Sequence, residues 1–442
     1  MPLILGTNSI KDTGYDVANS LRFNNDSSDH LSKNTATATN AKKFTYSVWV
    51  KRGHLNPTND STAQRLYQGY KDSDNRLYIQ FNYSAEVIRI FGKTGGTTEI
   101  YWDSTRKFRD VSAWYHIVLS ADSTLSTQAD RMKVYVNNEL IDSWSKTNSP
   151  SQNIDWGNQI AQSNGTLTIG ADNTSSEIFD GYMSEICFID GSALAPTDFG
   201  EFDSDSPTIW KPKDVSGLTF GNNGFYLDFE NASSLGADVS GNSNNFTVNN
   251  LTAVDQSLDT CTNNSCTLSP LWNSFNQGDL SEGNLKSSMT SGAYKTNVAS
   301  FGVSQGKWYW EIKITSASNV NFLLLGVTDE STNKNVDFKA LTGSTVFNNT
   351  TGKMQIDGSE DGSASAKFAE ADIMGIALNM DDKEISIFKN GSALHSDVTM
   401  STTSNLVFPC HIAYTYATYV FEYNFGGTQS FTISSGNTDG NG

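Results

Sequence analysis

The chain is predicted to be all-β, two antiparallel sandwiches in series with a loop-rich connector, and three observations carry that expectation. Short apolar stretches with two-residue alternation recur along the whole length, separated by Gly, Asn, Asp and Ser turns. No window repeats apolar residues at i, i+3, i+4 and i+7 over several turns, so helices should be short and rare. Only 37% of residues are hydrophobic, yet aromatics reach 11%, a balance expected where β-formers and turn residues dominate. At 442 residues the chain exceeds the usual size of one domain, which makes two cores the expectation.

The elements follow in order. Residues 1–40 are polar and turn-rich around one strand, "ANSLRFNND", and read as an N-terminal strand and attachment segment. Strand signals then come at short intervals in "FTYSVWVKRG", "RLYIQFNY", "EVIRIFGK", "EIYWDS", "WYHIVLSAD", "RMKVYVNN", "GTLTIGAD" and "GYMSEICFID", which gives a first sandwich over 41–204. Residues 205–299, rich in Asn and Ser, have little to bury and read as a connector running over a surface with one or two strands. Strands resume in "GKWYWEIKIT", "NFLLLGVTD", "ADIMGIALNM", "KEISIFKNG" and "VFPCHIAYTYATYVFEYNFG", a second sandwich over 300–430, and residues 431–442 read as a flexible end. One phrase occurs twice, as "RMKVYVNNELID" (131–142) and "KEISIFKNGSAL" (383–394). Each is a strand, a two-residue Asn-Asn or Asn-Gly turn able to take positive φ, and a return strand.

The net charge of −18 argues against a nucleic-acid partner, whose phosphates such a surface would repel. No run of 18 apolar residues is available to span a membrane, and the start "MPLILGTNSIKDTG" lacks the basic region of a secretory signal. Action outside a cell would then follow release within a particle. Cys187 and Cys410 lie in apolar strand text and read as core; Cys261 and Cys266, in "CTNNSC", read as free thiols ahead of a small disulfide loop.

Residues 44–200 resemble a laminin-G-like, concanavalin A-like jelly roll, on "FTYSVWVKRG", "WYHIVLSADST", "DRMKVYVNNELID", "GTLTIGADNT" and, most specifically, "FDGYMSEICFIDGSALAPTDFGEF". The resemblance implies that this last phrase is a sheet-closing strand followed by a short helical turn with a proline. Residues 300–427 resemble a SPRY (B30.2-type) domain, on "GKWYWEIKI", "LLLGVTDES", "ADIMGIALNMDDKEISIFKNG" and "YVFEYNFGG" in that order. The two domains, with the connector text "WKPKDVSGLTFGNNGFYLDFE", together resemble surface proteins of tailed, marine-type phages, often tail fibres. That resemblance implies a location on the virion, homotrimers, contacts with other virion proteins, a host-surface glycan as ligand, and a chain that continues past Gly442.

No paired-carboxylate run of the glycosidase kind is present: Glu177, Asp180 and Glu185 in "EIFDGYMSE" mix strand faces. "FGKTGG" (91–96) lacks the first glycine of a phosphate loop and reads as a hairpin turn. No catalytic residue is therefore assigned. Calcium at a rim is what the laminin-G resemblance implies, with Asp172 and Asp180 as candidate ligands, against the commoner role of such aspartates as solvated turn residues. Trp49, Trp114, Tyr115, Trp308 and Trp310 fall on alternating strand positions and read as packing. Trp156, in the polar loop "SPSQNIDWGNQ" beside Asn153, Asp155 and Asn158, is the candidate stacking platform for a sugar, with Trp102 and Tyr416 as further candidates. The expected role is thus a non-enzymatic tail fibre or adhesin. A capsid decoration or head-fibre protein acting through protein contacts is the alternative, and a polysaccharide-degrading enzyme the third reading.

Overall fold

The computed structural model describes residues 14–53, 55, 63–82, 85–157, 165–271, 277–289, 294–317, 321, 323–329, 342–401, 405–414, 418–427 and 431. They fall into two compact units, divided between Asn264 and Ser265.

The first unit is a sandwich. One sheet orders its strands as Glu139–Leu140, Met132–Val136, Trp114–Asp122, Lys43–Arg52, Gly181–Asp190, Ser20–Phe23 and Gln256–Ser257, with Phe225–Leu227 also on Gly181–Asp190. The facing sheet runs Trp144–Asn148, Thr97–Lys107, Val87–Thr94, Asn75–Asn82, Gln64–Asp72, Thr166–Ile169, His30–Asn34 and Thr247–Asn249. Neighbours pair antiparallel, as in Val48↔Ile117 and Ile79↔Ile90. Alternation supplies the core between the sheets: Phe44, Tyr46, Val48 and Val50 from one meet Leu77, Ile79, Ile88 and Ile90 from the other. The helical turn implied after the closing strand is present at Pro196–Asp198.

Two expectations change here. Residues 14–40 contribute two strands, one to each sheet, so this stretch is part of the sandwich. Residues 205–264 do not run loose over a surface either. Part of the stretch joins the sandwich itself, with Phe225–Leu227, Thr247–Asn249 and Gln256–Ser257 paired into its sheets and Phe225, Leu227 and Phe246 in its core. The rest covers the outer face of the first sheet as a third layer, because Val215, Phe220 and Tyr226 pack on Val118, Cys187 and Ile189, while Trp210 and Cys261 pack on Trp49, Trp114 and Tyr182. Such anchors are sparse in polar text, and charge completes the attachment. The Lys51 ammonium is 2.7 Å from an Asp259 carboxylate oxygen, both side chains at most 1% exposed. The Asn264 amide oxygen takes a second Lys51 hydrogen bond at 2.8 Å, and the Trp114 indole donates to Asp259 at 3.1 Å. Arg22 and Asp255 form another buried pair at 2.8 Å.

Where Ser20–Phe23 gives way to Phe225–Leu227 along Gly181–Asp190, the register slips between Ser184 and Cys187. Glu185 occupies this bulge with φ 51°. The hydroxyls of Tyr15 and Tyr226 donate to its carboxylate at 2.8 and 2.7 Å. Burial outweighs these two hydrogen bonds and pushes the carboxyl up to about 7.

The second unit is also a sandwich. One sheet orders Asp279–Ser281, Lys286–Met289, Tyr419–Asn424, Lys307–Ala317, Ile373–Asn379, Glu384–Lys389 and Ser392–Thr399; the other orders Tyr294–Val298, Val407–Tyr414, Leu323–Asp329, Ser344–Asn348, Lys353–Ile356 and Ser359–Asp361. Trp310, Ile312, Leu325, Phe347, Ile376 and Ile387 are among its core. The remainder of the expected connector belongs to this unit, since Leu268, Leu280, Leu285 and Met289 join that core. The two hairpin phrases occupy matching places, each ending a sheet. Their turns carry positive φ at both positions, 51° and 67° at Asn137 and Asn138, 48° and 79° at Asn390 and Gly391, the geometry that suits a two-residue hairpin.

Two stability predictions follow from the buried charges. Asp259→Ala leaves the Lys51 ammonium without its carboxylate and should cost the fold about 3–5 kcal/mol in denaturant unfolding; a loss within error of zero would show that the pair does not hold the third layer. For Glu185 the folded-state value lies above the ordinary carboxyl value, so its proton stabilises the fold fully below about pH 4.5, and that contribution is lost as pH rises through about 7. Glu185→Gln should therefore gain on the wild type by roughly 2–3 kcal/mol between about pH 5 and pH 8. A difference that stays constant with pH would contradict the assignment.

Candidate functional site

The residues singled out from the sequence do not converge. Trp156 is 0% exposed and packs edge-on against Phe44 at 5.9 Å, inside the first core, so it offers no stacking surface. Its loop turns inward because the Trp156 backbone N–H donates to the Ala41 carbonyl at 2.6 Å. Asn153 and Asp155 remain exposed, the latter accepting from the Gly157 N–H at 2.8 Å, but the ring expected beside them is buried. Trp102 is likewise core, with its indole donating to the Asn148 carbonyl and its ring against Trp144. Asn158 and Tyr416 lie outside the described residues. Asp172 accepts from the Thr174 and Ser176 N–H groups of its own turn, and Asp180 is wholly buried. Among the described residues no three His, Cys, Asp or Glu side chains are grouped to hold a metal ion. Trp49, Trp114 and Trp310 are buried, as their strand positions suggest.

A different constellation lies on the outer face of the second sheet of the first unit. Along Asn75–Asn82, Leu77, Ile79 and Phe81 point into the core, which turns Arg76, Tyr78 and Gln80 outward. Along Val87–Thr94 the same alternation turns out Arg89, Phe91 and Lys93, and along Thr97–Lys107 it turns out Tyr101 and Asp103. Register aligns these side chains in rows. Gln68, Tyr78, Phe91 and Tyr101 form one, flanked by Tyr70, Arg76 and Lys93 on one side and by Gln80, Arg89 and Asp103 on the other.

The rings touch. Tyr78 stacks with Phe91 at 5.0 Å, and Phe91 meets Tyr101 edge to face at 6.0 Å. Three guanidinium groups lie over them: Arg65 at 3.6 Å from the Tyr78 centroid, Arg89 at 4.9 Å from Tyr101 and Arg76 at 5.3 Å from Phe91. Asp103 holds Arg89 through two hydrogen bonds, 2.7 and 2.8 Å, which keeps that guanidinium charged and fixed. Arg65 is paired with Glu177. Half-buried rings, fixed cations and a fixed carboxylate on a rigid sheet suit a flat ligand with both apolar and hydroxyl-bearing faces. The signal was present in the text, as aromatics in the outward phase of "NRLYIQFN", "VIRIFGKT" and "TEIYWDS". Reading strand aromatics as packing hid it, and in "YW" it favoured Trp102 over its outward neighbour Tyr101.

The same fold brings Ser47 and His116 to hydrogen-bond distance, 2.8 Å, on the other sheet. The Trp210 indole, which can only donate, reaches His116 Nδ1 at 2.9 Å. The imidazole proton therefore sits on Nε2 and is donated to Ser47 Oγ, the reverse of what activating a nucleophile requires. Burial lowers His116 to about 3, so the ring stays neutral, stacked on Trp49 at 4.6 Å. This histidine is a packing element.

Comparison with known proteins follows the same division. No curated protein matches the chain. Among solved structures it is similar to the SPRY domain of human HERC1, at 18% identity over 32% of this chain and 89% of that one, TM-score 0.30. It is also similar to a native heptameric SAP-like pentraxin from Limulus polyphemus, at 15% identity over 41% and 80%, TM-score 0.30. A third likeness is to domain 4 of AbnA, a GH43 extracellular arabinanase from Geobacillus stearothermophilus, at 18% identity over 36% and 65%, TM-score 0.26. Residues 25–198 match the family model of the concanavalin A-like lectin/glucanases superfamily (Laminin_G_3), and residues 307–428 match that of the SPRY domain. The chain thus carries a laminin-G-like, concanavalin A-like domain followed by a SPRY domain.

Proposed function

We propose that this chain is a non-enzymatic binding protein of a tailed-phage particle, a tail fibre or adhesin that grips a host-surface saccharide on the outer face of its first domain. The observation that carries the reading is the row Tyr78, Phe91 and Tyr101, a set of half-buried rings framed by Arg65, Arg76, Arg89 and Asp103. A pyranose presents C–H groups on its faces and hydroxyls at its rim. Rings take the first, while guanidinium and carboxylate groups take the second. The paired domains support a binding role, and the proton arrangement at Ser47 and His116 argues against that pair as a nucleophile and its base. Location on the virion surface, homotrimers and contacts with other virion proteins belong to the same proposal and rest on the likeness of the joined domains to phage fibre proteins.

The reading is tested on purified particles and on the purified chain. Counting the polypeptide per particle by calibrated mass spectrometry should give a small copy number located at the tail; a large number over the head would make it a decoration protein. Phe91→Ala removes the central ring of the row without entering the core, so it should weaken saccharide binding roughly fivefold to tenfold, in line with the loss of an aromatic contact worth about 1–1.4 kcal/mol. The thermal midpoint should barely change. Unaltered binding would remove this face from the function.

A further inference from the structure

Resting on the saccharide reading, we infer that the ligand is an anionic saccharide, whose carboxylate or sulfate group is taken by Arg76, with the buried charge of Arg65 behind it, at the edge of the Tyr78–Phe91 pair. Charge on this face is unevenly compensated. Arg89 has Asp103 as a bidentate partner and Lys93 has Asp74 at 3.7 Å. Arg76, by contrast, makes no ion pair among the described residues, and its buried Nε has no hydrogen-bond acceptor there. Arg65 spends one nitrogen on Glu177, while its Nε and Nη1 are buried without an acceptor, in a side chain 4% exposed overall as a residue.

Burial lowers Arg65 to about 10; the Tyr78 hydroxyl and Asp172 act against that shift, and the like charge of Arg76, in the neighbouring strand, acts with it. Gln80, 3% exposed and facing the same way, has an amide oxygen without a donor. A pair of like charges beside unfilled donors and one unfilled acceptor is unfavourable for the empty protein. An anion on the outward nitrogens of Arg76 offsets that repulsion, since the guanidinium fork matches two oxygens of a carboxylate or sulfate.

The net charge of −18 does not oppose this ligand. A nucleic acid presents a continuous line of phosphates and needs a continuous basic track. Here three arginines and a lysine stand among aromatic rings, which suits isolated charges spaced along a sugar chain and read at short range, where bulk salt screens the rest of the surface.

The test uses the full chain and calorimetric titration against matched pairs. These are uronic-acid oligosaccharides of several linkages with their carboxyl-reduced counterparts, and sulfated oligosaccharides with their desulfated counterparts. At least a tenfold preference for the charged member of one pair is expected, and which pair shows it identifies the anion. Arg76→Gln should abolish that preference, lowering the affinity for the charged member at least tenfold more than that for the neutral member, a split that a loss of folding would not produce. Arg76→Lys, which keeps the charge but not the fork, should retain part of the preference. Equal binding of charged and neutral members, with Phe91→Ala still weakening both, would overturn the anionic ligand and leave the saccharide reading intact. Binding to none of the panel, or binding insensitive to Phe91→Ala, would overturn both.

Discussion

The first domain depends on an ammonium group that no water reaches. Lys51 sits in the central strand of its sheet, on the side facing away from the core, and a lysine there would ordinarily lie in solvent. Here a third layer covers it, and a buried charge without a partner costs several kcal/mol. The turn that brings Asp259, with Asn264 behind it, gives that ammonium its carboxylate and an amide oxygen. The pair thus does less to strengthen the domain than to dictate which segment may lie on this sheet and in what register. Arg22 and Asp255 repeat the device two strands away. Between them the polar stretch after the sandwich is held in place by a few anchors and two ion pairs, where a hydrophobic segment would have needed a continuous apolar face.

That arrangement explains what could be read from the text and what could not. Period-two alternation makes strands visible wherever one face is buried, so the strand series and both Asn turns were legible. The third layer was not, because its contacts join residues far apart in sequence and its own text carries too few apolar residues to announce a core. Lys51 looks like an ordinary outward lysine until Asp259 is seen above it. Trp156 fails for a related reason. A polar loop around a tryptophan is the same text whether the ring points out or in, and the backbone bond to Ala41 decides the matter. The ring row on the second sheet was written plainly in the outward phase of three consecutive strands, but an aromatic in a strand is more often core, and that expectation concealed it.

The two outer faces of the first domain have opposite fates. One is sealed by the third layer, with His116 locked between Trp49 and Trp210 as part of the seal. The other keeps its side chains half-buried and its cations fixed on rings. Rigid strands hold these groups with less conformational freedom than loops would allow, so less order has to be imposed when a ligand arrives.

In the three strands that build this face, inward and outward residues alternate one by one. Replacing Arg76, Tyr78, Arg89, Phe91 or Tyr101 leaves Leu77, Ile79, Ile88, Ile90 and Ile100 where they are. The fold and the proposed recognition face are therefore written in separate letters of the same strands. A lineage under pressure to follow a changing partner can rewrite one set while the other stays constant, and the scaffold pays almost nothing for the drift.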